Sequence, residues 1–294
     1  MGKIYTAMGL MSGTSLDGVD VSIIESDGSR EFTPIYDRYF EYDKGLIEKI
    51  LNIRKKIPDL EKLRKFENEI NDLEREITLF HAKAVKETLA TVKSSLDLIG
   101  FHGQTIFHNP EKKITKQLGD GNLLSQLTKK KVIFNFRQND LENGGQGAPL
   151  TPIFHNTLSN IFNEKFNLKF PINILNIGGI ANVTSTVSWE NSSFISKICA
   201  YDIGPGNCLI DEWVRKNSEK KYDEGGSIAR SGTIDKLVLN QALENFTENS
   251  NYEKSLDIKD FDIFFAKGLS LENGAATITN FTAALIANGM NYTN

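Results

Sequence analysis

The sequence predicts an α/β protein of two layered units with mixed sheets, and three observations carry that prediction. Apolar runs of strand length alternate with stretches of helical periodicity along the 294 residues. Both halves open alike, with a strand, a glycine-containing bend and a second strand. A second strand-rich stretch starts near Pro171, which divides the chain into residues 1–170 and 171–294. The likeness between the halves is architectural, since the sequence itself does not repeat.

Each element follows from local pattern. Residues 4–11 form an apolar strand, and Val19, Val21 and Ile23 alternate with Asp20 and Ser22, the period-2 mark of a half-buried strand. Between them lies a tight polar turn, Ser12 to Gly18, and Ser26-Asp27-Gly28-Ser29 leads into a third strand at 32–40. Leu60, Leu63, Phe66, Ile70, Leu73, Ile77, Phe80 and Ala84 recur every three or four residues, so they share one helix face beginning at Pro58-Asp59. The spacing also suits a coiled coil, but flanking strands favour a helix covering a sheet. Next come a short strand at 96–101, a loop His102-Gly103-Gln104-Thr105, a turn at 117–122 leading into a helix, and a strand at 132–136. That strand opens into the loop Gly144-Gly145-Gln146-Gly147-Ala148-Pro149, followed by a helix at 152–161. The second half reads as strands at 172–177, 180–187 and 195–203, a bend Gly204-Pro205-Gly206-Asn207, a helix at 208–216, a polar loop at 248–259 and a last helix at 275–288.

Composition excludes several classes of protein. A net charge of −4 with scattered cations carries no nucleic-acid footprint, and the run Lys129-Lys130-Lys131 reads as a solvated turn. No apolar stretch is long enough to span a membrane, and the N-terminus lacks the pattern of a signal peptide. Two cysteines, Cys199 and Cys208, make no disulfide framework and no metal-ligand spacing, as expected of a cytoplasmic chain.

Three places offer chemistry. The turn holding Ser12, Gly13, Thr14, Ser15, Leu16, Asp17, Gly18 and Val19 combines hydroxyls with glycines, so successive N–H groups can nest an anion beside a magnesium-holding carboxylate. The same residue types also make a plain hairpin turn. Gly178-Gly179 is a second bend of phosphate size, or a tight corner in a sheet. Neither matches a Walker loop or a dinucleotide fingerprint. Asp202 ends a strand just before a glycine bend and a helix start; taken alone it reads first as an acid that ties down the turn, and second as a general base placed at that corner. His102, Gln104, Arg137 and the glycine loop at 144–147 sit in connections of the kind that bind ligands, although isolated histidines such as His108 and His155 are more often structural.

Taken together these residues resemble one family. The blocks Met8 to Asp20, His102-Gly103-Gln104-Thr105-Ile106, Arg137 with Gly144 to Leu150, Asn176-Ile177-Gly178-Gly179-Ile180-Ala181-Asn182 and Asp202-Ile203-Gly204-Pro205-Gly206-Asn207 resemble, in order, the signatures of anhydro-N-acetylmuramic acid kinases. The resemblance implies an actin-like, ribonuclease H-like fold of two lobes that uses ATP and Mg²⁺. It implies opening of a 1,6-anhydro amino sugar with phosphorylation of O6, in peptidoglycan recycling. Carried over residue by residue, residues 12–19 with Gly178 and Gly179 hold ATP, Asp17 lies at Mg²⁺, and Asp202 is the catalytic base. His102, Gln104, Arg137, Gly145, Gln146 and Gly147 line the sugar pocket. A homodimer is compatible with this reading. The family's pattern continues past the last helix into a glycine-rich adenosine-binding turn, whereas this chain stops at Asn294, and 254–257 follow the family's pattern loosely. A second lobe with an incomplete adenosine region is therefore expected, with an inactive sugar- or partner-binding remnant as the alternative function.

Overall fold

The computed structural model describes residues 2–13, 16–92, 95–189, 197–249, 252, 256 and 258–290. It divides into two compact units, Met1–Leu150 and Thr151–Asn294.

The first unit runs β1 (Tyr5–Met11), β2 (Gly18–Ser26), β3 (Phe32–Glu41), α1 (Lys44–Lys56), α2 (Leu60–Lys65), α3 (Glu67–Thr91), β4 (Leu98–Phe101), β5 (Gln104–Asn109), β6 (Ile114–Leu118), α4 (Gly121–Thr128), β7 (Lys131–Ile133) and α5 (Phe136–Glu142). Its main sheet has the order β3-β2-β1-β4-β7. The first three strands form an antiparallel meander, and β4 and β7 add in parallel. On β2 the expected alternation holds: Val19, Val21 and Ile23 are buried while Asp20 and Ser22 face solvent. Helix α3 lays Ile70, Leu73, Ile77, Ala84 and Val85 into the core that holds Met8, Ile99 and Phe101.

The predicted long helix starts where expected, with the Asp59 carboxylate accepting the Lys62 N–H. It is broken at Phe66, which leaves helical geometry at φ −100°, ψ 20°, and the apolar stripe carries across the break. Three elements depart from the sequence expectation. Helix α1, which buries Leu46, Ile50 and Ile53, precedes the predicted one. The expected loop at 102–105 is a two-residue turn, because Gln104 already pairs with Leu118 in a β5–β6 hairpin. Strand β7 ends at Ile133, and Asn135, in the left-handed region at φ 62°, turns the chain into α5 where a strand end and loop were expected.

The second unit runs α6 (Pro152–Phe166), β8 (Ile172–Ile177), β9 (Ile180–Thr186), β10 (Cys199–Pro205), α7 (Cys208–Asn217), α8 (Ser227–Ser231), α9 (Lys236–Asn249) and α10 (Leu271–Gly289). Strands β8, β9 and β10, which follow α6, form an antiparallel meander in sequential order. Residues 195 and 196 of the predicted third strand lie outside the described residues. Helix α6, N-terminal to the sequence-based division, packs within this unit: Asn156 Oδ1 accepts the Val187 N–H and Asn160 Oδ1 accepts the Trp189 N–H. The core gathers Leu209, Trp213 and Val214 of α7 with Ala275, Ile278, Phe281 and Leu285 of α10. Helices α8 and α9 were not anticipated. Among the described residues, no helix is long and apolar enough to cross a membrane.

Candidate active site

The turn between β1 and β2 is held from beneath by a hydrogen-bond relay whose directions the chemistry fixes. His81 on α3 is fully buried, and its Nδ1 lies 2.8 Å from the Ile77 carbonyl, which can only accept. Nδ1 therefore carries the proton, and Nε2 is an acceptor. The Ser12 hydroxyl, 3.0 Å away, donates to it and in turn accepts from the Tyr42 hydroxyl at 2.9 Å. Burial drives the His81 pKa down to about 4 and the Tyr42 pKa up to about 12, so both stay neutral. Ser12, expected to offer its hydroxyl to phosphate, directs that group into the core.

The rest of the turn is shaped by close packing. Gly13 O accepts from Gln104 Nε2 at 3.0 Å, which ties the turn to the start of β5. Leu16 is buried with φ 59°, and the Asp17 carbonyl accepts the Tyr42 N–H. A Cβ on Gly18 would sit 2.2 Å from the Phe40 carbonyl, so only glycine fits there. Val19 is core. The side chains of Asp17 and Asp20 face solvent, whereas Thr14 and Ser15 lie outside the described residues. Partial desolvation and then the Asp17 charge raise the Asp20 pKa, and Asp17, Glu41 and Asp20 add to burial in pushing Tyr39 up to about 12. The turn thus carries concentrated negative charge. Among the described residues no group of three or more metal-binding side chains forms a protein cage.

The second cluster joins His102, Arg137 and the glycine loop. The His102 Nδ1 lies 2.6 Å from the Gly103 carbonyl, and its Nε2 accepts from Arg137 Nε at 2.8 Å. These partners require a neutral ring, and burial followed by the Arg137 charge lowers its pKa accordingly. Arg137 Nη1 also donates to Gly147 O at 3.3 Å. The loop wraps around Asp140, which no motif in the sequence marks out. Asp140 Oδ2 accepts the Gly147 N–H at 2.7 Å, and its main-chain carbonyl accepts the Gly145 N–H at 2.8 Å. A Cβ on Gly145 would meet that carboxylate at 2.0 Å, and Gly147 has φ 73°. An acid four residues ahead of a glycine pair was the available signal. Gln146 is exposed. His102, Phe136, Asp140 and Leu150 line an open groove of about 780 Å³.

In the second unit two glycine bends clasp each other. The N–H groups of Gly206 and Asn207 donate to the carbonyls of Gly179 and Gly178 at 2.9 and 2.8 Å, and Cys208 N–H reaches Gly179 O at 3.4 Å. Of the N–H groups at the start of α7, that of Cys208 is thus engaged within the clasp. Asp202 sits beside it on β10, opposite Asn182, where the register skips between Asp202 and Gly204. This bulge leaves Asp202 half-buried between the buried Tyr201 and Ile203, and the Leu256 N–H donates to its Oδ2 at 2.9 Å. Residues 254, 255 and 257 lie outside the described residues.

A β3-β2-β1-β4-β7 sheet with an antiparallel meander and parallel additions, a polar turn after its first strand and a second meander carrying an acid at a glycine bend define an actin-like phosphotransferase fold. The family model for anhydro-N-acetylmuramic acid kinase matches residues 5–291. The chain is 53% identical over 287 residues to the anhydro-N-acetylmuramic acid kinase of Pelagibacter ubique, covering 97% of this chain and 74% of that protein. It is 37% identical to the enzyme of that name from Agrobacterium fabrum, covering 99% and 77%, and 39% identical to that from Zymomonas mobilis, covering 97% and 77%. The chain belongs to the anhydro-N-acetylmuramic acid kinase family, a family of kinases.

Proposed function

We propose that this chain opens the 1,6-anhydro ring of anhydro-N-acetylmuramic acid and transfers the γ-phosphoryl group of ATP to O6, giving N-acetylmuramic acid 6-phosphate for peptidoglycan recycling. On this reading it acts in the cytoplasm on a small amino sugar, alone or as a homodimer. The observation that carries it is Asp202: a half-buried carboxylate at a strand bulge beside a glycine clasp, with the Leu256 N–H donating to its Oδ2.

Asp202 takes a proton from water, whose oxygen bonds to the anomeric carbon as the C1–O6 bond breaks. The sugar passes through oxocarbenium character, as in glycoside hydrolysis. When bound, Mg-ATP supplies the phosphoryl group that the departing O6 accepts. Backbone groups of Ser12, Gly13, Thr14, Ser15, Leu16, Asp17, Gly18 and Val19, with Gly178 and Gly179, position its phosphates, since phosphoryl transfer asks mainly for positioning and charge neutralisation. The acidic surroundings of the turn suit Mg²⁺ at Asp17: a divalent cation would relieve the Asp17–Asp20 repulsion that, after partial desolvation, raises the Asp20 pKa. Asp17 would hold the ion, which would supply charge neutralisation at the phosphates. His102, Gln104, Arg137, Gly145, Gln146 and Gly147 hold the sugar.

Incubation with Mg-ATP and the anhydro sugar should give the 6-phosphate by mass spectrometry. Asp202→Asn should lower kcat by about 10²- to 10⁴-fold. The fold should survive, because the asparagine Oδ1 still accepts the Leu256 N–H. Unchanged turnover in that variant would remove Asp202 as the base.

A further inference from the structure

Gln104 differs from the other side chains proposed to hold the sugar. It has no exposed surface, whereas His102 and Arg137 are half-buried and Gln146 is exposed. A side chain without surface makes no direct contact with a sugar, so its part in holding one passes through the β5–β6 hairpin that it begins. Its amide points to the turn between β1 and β2. The Gly13 carbonyl can only accept, so the amide nitrogen faces it, at 3.0 Å, and this fixes which end of the amide is which. Oε1 is then buried without a hydrogen-bond partner among the described residues.

That orphaned oxygen is the informative feature. A buried acceptor with no donor costs more than one neutral hydrogen bond returns. A methionine would fill the same space without the orphan. Gly13 O would not be stranded by that exchange, because the Leu16 N–H also reaches it, at 3.4 Å. Stability therefore does not account for a glutamine here, and a polar group kept at a cost in stability marks function.

The turn needs an outside hold, and the hairpin is a rigid place to supply one. Leu16 is buried in the left-handed region at φ 59°, where a bulky side chain is strained. Beside Gln104, Gly103 has φ 72°, and a Cβ there would lie 2.4 Å from the Leu118 carbonyl. Gln104 itself pairs with Leu118, which is fully buried.

We infer that Gln104 is a positioning residue for the phosphates of ATP: its amide fixes the Gly13 carbonyl and with it the plane of the peptide that begins there. A trans peptide presents its N–H on the side opposite its carbonyl, so a carbonyl held toward β5 aims that N–H away from β5, as a donor to an anion. The inference rests on the proposed kinase reading. It gives the hairpin on the sugar side a direct grip on the phosphate side.

The experiment compares wild type with Gln104→Met. Mg-ATP is titrated calorimetrically into each, kcat and the sugar KM are measured at saturating ATP, and urea midpoints are recorded. The Kd for Mg-ATP should rise about 10-fold in the variant, the worth of one well-placed hydrogen bond. Turnover should fall by about 10²-fold, since phosphoryl transfer depends on placement. The sugar KM should not change, and the urea midpoint should equal or exceed that of wild type, because the orphan is gone. A raised sugar KM with unchanged ATP affinity overturns the inference in favour of a sugar contact. A lower urea midpoint, with ATP affinity and sugar KM weakened alike, overturns it in favour of a packing role. Wild type that binds Mg-ATP with an affinity sensitive to Gln104, yet makes no 6-phosphate, sinks the kinase reading alone. Turnover with ATP affinity indifferent to Gln104 sinks this inference alone, and a wild type that binds no Mg-ATP removes both.

Discussion

At the scale of single residues, the relay from Tyr42 through Ser12 to His81 is the most constrained feature of the first unit. Each member has one permitted role, because the Ile77 carbonyl fixes the tautomer and every later direction follows. Ser12→Ala would orphan two buried groups, the Tyr42 donor and the His81 acceptor, at a cost of about 1–3 kcal/mol. Tyr42→Phe removes one donor and leaves the Ser12 to His81 bond intact, so its cost should stay near the ~1 kcal/mol of an ordinary hydrogen bond. Urea unfolding of both variants measures the order, and a larger loss for Tyr42→Phe would contradict the assigned directions. The residue types in this turn were legible in the sequence, but the destination of the Ser12 hydroxyl was not. Its partners lie 30 and 69 residues away, and nothing in the local pattern tells a phosphate-facing serine from a core-facing one. The same holds for Asp202, whose type and place at a strand end could be read, while its anchor at Leu256, 54 residues on, could not.

At the scale of elements, β2 could be read from period-2 alternation because one of its faces is buried. The β5–β6 hairpin and α5 could not: both are short, and their conformations are set by Gln104 pairing with Leu118 and by left-handed Asn135. Glycine bends announced themselves as bends but not as partners of each other. The clasp between the β8–β9 and β10–α7 connections makes the two bends unequal. A Cβ on Gly206 would sit 2.1 Å from the Gly178 carbonyl and 3.3 Å from the Ala181 nitrogen, both main-chain atoms that cannot rotate away. On Gly178 the nearest neighbours would be 3.7 and 3.8 Å away, which is ordinary contact. Gly206→Ala should therefore destabilise the protein by about 3 kcal/mol, while Gly178→Ala should change stability by less than about 1 kcal/mol. Denaturant midpoints of the two variants test the asymmetry, and similar losses at both positions would refute the clasp.

At the scale of the whole molecule, each of the two units carries its own core, and the second includes α6, which lies ahead of the strands from which the sequence division at 170/171 was drawn. Histidine placement then couples charge to that division. The sequence has four histidines, and burial is the leading cause that lowers the pKa of every one, His81 to about 4. An unfolded histidine takes up its proton near pH 6.5. The unfolded chain therefore binds more protons than the native one once pH falls below that value. Stability contributed by neutral histidine is full above about pH 6.5 and is lost on acidification until the folded values are passed, by up to about 1.4 kcal/mol per pH unit for each proton. His81, His102 and His108 lie in the first unit and only His155 in the second, so acid should weaken the first unit more. Both tryptophans, Trp189 and Trp213, lie in the second unit, which gives each unit a separate signal. Lowering the pH from 7 to 5 should shift the urea midpoint seen by far-UV circular dichroism, which reports both units, further than the midpoint seen by tryptophan fluorescence. His81→Gln should remove about one proton of that difference. Midpoints that move together at every pH, or a fluorescence midpoint that moves further, would show that the buried histidines of the first unit do not govern its response to acid.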